Sequence, residues 1–161
     1  MKSTFRTGIA VALITVFSAG TALANDAVRT MTRFYEIADA RPFDVRAFEK
    51  MYADDFVNHD PRPNVRGSFK QDSIALYTSL ANGAPDAVHE ITFIKPVGDN
   101  QALVRWKFKG THTGPMLGIP ATGKRFDIAG MELWEVKNGK VTSIWHVEEI
   151  AKLMRQLGLA K

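Results

Sequence analysis

Near its C-terminus the chain reads SIWHVEEIAKLMRQLG, from Ser143 to Gly158. Trp145, His146, Glu148 and Glu149 cluster there, a group with the side chains for proton transfer. A carboxyl in an apolar cup has a raised pKa, because burial disfavours its charge. Such a group can take a proton from carbon beside a carbonyl and return it. The plainer role for Glu149 is to begin a helix, whose N-terminal dipole favours negative charge. A second polar group lies upstream in FVNHDP, Phe56 to Pro61. His59 in this Pro-rich loop can exchange protons at a pocket mouth. Asp60, directly before Pro61, is equally a turn former.

Other chemistries lack their residues. The four histidines are scattered and there is no cysteine, so neither a metal site nor thiol chemistry is expected. No Gly-rich phosphate loop leads from a strand into a helix, so nucleotide binding is not expected. Tyr35, Tyr52, Phe56, Trp106, Trp134 and Trp145 are candidate cavity walls, although inward aromatics are more often plain core. His112 shares the parity of Trp106 and Phe108. It either lines the cavity or holds the following loop, and the loop is favoured. His89 and His146 are read as structural or exposed.

The elements that must position these residues change character midway. Val28, Met31, Phe34, Tyr35 and Ala38 recur at helical spacing, so a helix is expected from an Asp26 cap to about Arg41. Asp44 can cap a second, short helix carrying Phe48, Met51 and Tyr52. Phe56 and Val57 suit a short strand before the Pro61 and Pro63 loop. Ser68 and Gln71 form a capping box for a third helix that ends near Gly83. After Pro85 the period becomes two. Four strands are expected, in VHEITFIKPV, QALVRWKFKGTHTG, KRFDIAGMELWEV and KVTSIWHVEE, followed by a closing helix. Helices, then an antiparallel meander, then a helix argue for an α+β fold.

Asn138-Gly139 is a strong hairpin signal and serves as a ruler. A plain two-residue turn pairs Trp134 with Ser143, Glu132 with Trp145, Gly130 with Val147 and Ile128 with Glu149. On that register Glu149 shares a face with Glu132, Trp134 and Trp145, while His146 and Glu148 point the other way. A one-residue bulge would invert the assignment. Glu132 and Glu149 would lie about 13 Å apart along the strands, too far for a tight carboxylate pair.

The first 24 residues read as a cleaved secretory signal: Lys2 and Arg6, an apolar GIAVALITVFSAG, then Ala22 to Ala24 as a small-residue cleavage site. Removing them leaves 137 of the 161 residues, one domain over 25–161, in the periplasm or outside the cell. Nineteen basic side chains then face 17 acidic ones, interspersed. Nothing marks a nucleic-acid partner, nor a membrane partner once the signal is removed.

Several motifs in order resemble one family. They are GTHTG (Gly110 to Gly114), GIPATGK (Gly118 to Lys124), Gly139-Lys140, Trp145 with an acid four residues later, and QLG (Gln156 to Gly158). With FVNHDP and Gly98-Asp99 upstream, the chain is similar to the SnoaL-like polyketide cyclases of the nuclear transport factor 2-like superfamily. The resemblance implies a cone-shaped barrel, helices packed on a strongly bent, mainly antiparallel sheet, often dimeric through its outer face. It implies a pocket and cofactor-independent aldol closure by an acid, at the position of Glu149. Glu for Asp at 149, Asp60 for Asn and Ala121 for Pro depart from the pattern. The expected function is therefore binding of a small hydrophobic or aromatic molecule, with cyclisation or isomerisation of a carbonyl compound. Glu149, His59 and Asp60 would be catalytic. Trp145, Glu132, Trp134, Trp106, His112, Tyr35, Tyr52 and Phe56 would bind. The alternatives are a non-catalytic periplasmic binding protein and a dimeric interaction module.

Overall fold

In the computed structural model, which describes residues 16–160 except Asn64 and Arg66, and side chains from Asp26 on, four helices pack on one five-stranded sheet. The basic start and most of the apolar run of the expected signal lie outside the described residues.

Helix α1 spans Val16–Asp39. Ala27, Met31, Phe34, Tyr35 and Ala38 form its buried stripe. Asp26 is not its cap, because the helix begins ten residues earlier; it pairs with Arg29 at 3.2 Å. Asp44 does cap α2 (Val45–Glu49), accepting from the Arg46 and Ala47 amides. The capping box of α3 (Phe69–Gly83) is present in both directions, between Ser68 and Gln71. Met51 and Tyr52 are not helical: α2 stops at Glu49, and Tyr52 opens strand β1 (Tyr52–Asn58). There the Met51 carbonyl accepts from the Val141 amide, so the backbone gains a strand partner instead of another helical turn.

Strands β2 (Val88–Val97), β3 (Gln101–Thr111), β4 (Arg125–Lys137) and β5 (Lys140–Glu148) complete the sheet, and α4 (Ile150–Leu157) closes the chain. The order is β1-β5-β4-β3-β2. β1 runs parallel to β5 and all other neighbours are antiparallel. The α+β class and mainly antiparallel sheet are as expected, but β1 and β2 are free edges, so the barrel is open. One buried cluster joins α1 to α4, with Phe34, Phe48, Tyr77 and Trp134 at close ring contacts.

The hairpin register departs from the plain one. Asn138 and Gly139 both have positive φ, and Val136 pairs with Val141 as expected. Thr142 is then an extra residue. Glu135 pairs with Ser143, Trp134 with Ile144, Leu133 with Trp145 and Glu132 with His146. Strand side chains alternate, so this bulge reverses every later position on β5. His146 and Glu148 turn inward, while Trp145 and Val147 turn outward.

Candidate active site

Inside the cup, the inward residues of β3 and β4 make a mostly apolar floor: Val104, Trp106 and Phe108, with Phe126, Ile128 and Glu132. Gly130 interrupts the β4 series. A methyl group there would come within 2.3 Å of Trp106 Cζ2, so the missing side chain leaves space for the indole. Helices α3 and α4 supply further walls through Leu76, Tyr77, Leu80 and Leu153.

Two cavities open into this interior. An apolar one of ≈ 60 Å³ lies among Trp106, Phe108, Met116, Phe126 and Ile128. A more polar one of ≈ 80 Å³ lies among Asn58, Arg62, Asp72, Ser73 and His146. They share Leu76, Tyr77, Leu117, Glu132, Glu148 and Ile150 as walls, so both acids stand where the cavities meet.

Glu132 is buried, at 3% exposure. Its Oε2 accepts from the Tyr35 hydroxyl and, at 2.8 Å, from Trp134 Nε1–H. Its Oε1 has no hydrogen bond among the described residues. Burial pushes the Glu132 carboxyl pKa up, the charge of Glu148 adds to this, and the Tyr35 and Trp134 bonds oppose it. Burial and the same carboxyl push the Tyr35 hydroxyl well above its ordinary value. On β5, His146 Nδ1 lies 3.3 Å from Glu148 and its Nε2 lies 3.1 Å from Asn58 Oδ1. The hydrogen bond to Glu148 holds the imidazole pKa above the usual histidine value, against desolvation.

The expected catalytic group is not assembled. Glu149 lies on the outer side because of the bulge at Thr142. It accepts from Lys152 Nζ at 2.8 Å and from the Ala129 amide at 2.9 Å, which hold its carboxyl below the usual range. It precedes α4 but makes no side-chain cap. Trp145 is also outside, 36% exposed, stacked on the exposed His59 ring at 4.0 Å. Asp60 accepts from the His146 amide at 2.9 Å, while its own amide donates to Asn58. Asp60 thus holds the backbone of an inward residue without reaching the interior itself.

The binding residues divide. Glu132 and Trp106 line the apolar cavity; Tyr52, Glu132 and Trp134 line the polar one. Tyr35 reaches the interior only through Glu132, and also lines an outer groove beside α1. Phe56 is core, stacked near Trp134. His112 is fully buried and bonds Thr122 at 3.1 Å, while its backbone bonds Gly123 and Lys124, the loop role expected for it. The plain register points His146 and Glu148 outward, and the sequence suggests a structural or exposed His89. All three reach a cavity.

The family model of SnoaL-like polyketide cyclase matches residues 26–157, and the chain belongs to that family. Comparison with curated proteins gives no match. Among solved structures, the chain is similar to TsrD from Streptomyces laurentii, at 23% identity and TM-score 0.67, covering 81% of this chain and 96% of that one. A candidate polyketide cyclase from Bacillus cereus ATCC 10987 shares 25% identity at TM-score 0.68, covering 84% and 83%. A candidate SnoaL-like polyketide cyclase from Jannaschia sp. CCS1 shares 17% at TM-score 0.70, covering 86% and 96%.

Among the described residues no group of three or more potential ligand side chains could hold a metal ion. No described helix is long and apolar enough to cross a membrane.

Proposed function

We propose that the protein binds a small hydrophobic carbonyl compound between sheet and helices and cyclises or isomerises it by cofactor-independent acid–base chemistry. The carrying observation is Glu132: a buried carboxyl with one oxygen tied by two donors and the other without a hydrogen bond among the described residues, at the meeting of two cavities. Burial raises the Glu132 carboxyl pKa and so favours the protonated form, which can donate to a carbonyl oxygen. Glu148 and His146 stand beside it, less deeply buried, and return protons to solvent. Family membership supports the reaction class.

The test is isomerisation of cyclohex-3-enone to the conjugated enone, followed by absorbance. The wild type is expected to accelerate it, Glu132→Gln to lose about 100-fold or more, and Glu149→Gln to stay within about twofold. No acceleration by the wild type overturns the reading.

Dimerisation through the outer sheet face is part of the proposal, supported by Val57, Trp145 and Val147 exposed there. Export is part of it too. Cleavage after Ala24 keeps the described buried stripe, Ala27 to Ala38, in the mature chain. N-terminal sequencing of periplasmic protein beginning at Asn25 supports export, and an intact Met1 refutes it.

A further inference from the structure

Glu132 supplies an acid, but carbon chemistry also needs a base that reaches the C–H bond. Besides the two carboxyls and the Tyr77 phenol, the apolar cavity is lined by the imidazole of His89 on β2, which comes from the opposite side of the sheet to β5. Its ring stacks on Phe108 at 4.4 Å and meets Trp106 edge-on at 5.3 Å. Asp39, at the end of α1, grips it twice. One carboxyl oxygen lies 2.7 Å from Nδ1 and the other accepts from the His89 amide at 2.7 Å. A carboxylate only accepts, so the neutral ring carries its proton on Nδ1 and keeps a lone pair on Nε2. The two ring nitrogens point apart. His89 lines both the outer groove beside α1 and the inner apolar cavity, and anchoring Nδ1 on α1 turns Nε2 away from that helix, to the inner side. Nε2 has no hydrogen bond among the described residues.

A second observation points to a ligand in the same cavity. Trp106 is 4% exposed, and its Nε1–H is buried with no partner among the described residues. A buried unpaired donor is costly and is normally satisfied. The indole is seated against Gly130, so its place on the cavity wall is fixed. A carbonyl oxygen in the cavity would satisfy it.

We propose that His89, oriented by Asp39, is the base that removes a proton from carbon, and that Trp106 Nε1–H binds the carbonyl oxygen of an enolisable ketone lying against Phe108. This rests on the acid–base reading above. The C–H bond breaks to His89 Nε2, and its electron pair forms the carbon–carbon double bond of the enol. The carbonyl π pair moves to oxygen, which takes hydrogen bonds from Trp106 and the proton of Glu132. In isomerisation, the imidazolium returns the proton to the γ carbon as the Glu132 proton is recovered, so no oxidant or co-reactant is needed. Asp39 is a positioning residue. The charged and titratable groups near the ring are Asp39 and Tyr35 on α1, Tyr77 on α3, Glu132 on β4 and Glu148 on β5.

The experiment uses cyclohex-3-enone with the full chain. His89→Gln is expected to lose about 100-fold, and added imidazole to restore part of the rate of His89→Ala. Asp39→Asn is expected to slow the reaction and move the acidic limb of its pH profile, where the base is lost to protonation, which a merely structural contact would not do. Trp106→Phe is expected to raise KM and lower kcat. A His89→Gln rate equal to wild type, with Glu132→Gln impaired, overturns this inference and leaves the acid reading standing. Loss in His89→Ala without imidazole rescue, together with an unmoved Asp39→Asn profile, also overturns it. If the His89 variants do not fold, nitrogen NMR of the wild type decides: neutral His89 with its proton on Nδ1 supports the assignment, and a proton on Nε2 refutes it.

Discussion

Glu132 and His146 are direct partners across the β4–β5 pairing, and both side chains reach the interior. A plain Asn138-Gly139 hairpin would set Trp145 opposite Glu132 instead. The extra residue at Thr142 makes the difference, and it brings Glu148 inward as well.

Deleting Thr142 is therefore expected to be mild. Val141 would then be followed directly by Ser143, which still pairs with Glu135, so His146 and Glu148 stay inward without a bulge. What is lost is the hydrogen bond from the Thr142 hydroxyl to the Glu135 carbonyl, worth about 1 kcal/mol. Urea denaturation should show a small shift of midpoint. A collapse of the midpoint would mean that the bulge itself holds the strand.

Gly130→Ala tests the seat of the indole. The added methyl meets Trp106 ring atoms at 2.3 and 2.4 Å. Overpacking of this kind costs about 1–3 kcal/mol. The thermal midpoint should fall and the near-ultraviolet dichroism of tryptophan should change. Gly139→Ala is the contrast: nothing lies within 4 Å of its added carbon, and its cost comes from a φ of 70°.

The His146–Glu148 pair has a defined pH signature. The imidazole pKa is raised in the folded protein, mainly by the bond to Glu148. Its stabilisation is complete below the unfolded histidine pKa of about 6.5 and is lost as pH rises through the higher folded value. The stability difference between wild type and Glu148→Gln should thus be largest near pH 6 and shrink toward pH 9. Urea titrations across that range check the sign. A difference that grows with pH would contradict the pairing.

Val147 is 70% exposed in the middle of the outward series on β5. If that face joins two copies, Val147→Glu places charge in the contact and should convert a dimer to a monomer by light scattering, with the monomer fold retained. A wild type that is monomeric at all concentrations removes the dimer proposal.

Local signals were legible where the chemistry is local. The Asp44 cap, the Ser68–Gln71 box and the Asn138-Gly139 turn each depend on residues within three positions, and all three are present. The inward series Ala102, Val104, Trp106 and Phe108 followed from alternation alone. The sequence extends the helix to Tyr52 because one apolar residue after a short helix fits either continuation, and only pairing with β5 decides. The site was harder to read. Thr142 carries no residue signature of a bulge, so parity failed beyond it, and Glu149 and Trp145 received roles that their neighbours can fill. His89 went unrecognised because Asp39 stands 50 residues earlier and meets it only through the fold.

The bulge also bears on how such a site can change. Downstream of Thr142 the strand alternates Trp145, His146, Val147, Glu148, so two different interiors are written into the same four letters. Whether Thr142 is bulged out or takes a place in the ladder exchanges a polar lining for an apolar one without altering any of those residues. Substitution by substitution, the same exchange would take several steps, each passing through a mixed lining. The seating of one residue near the start of β5 therefore decides which of the two linings the cup presents.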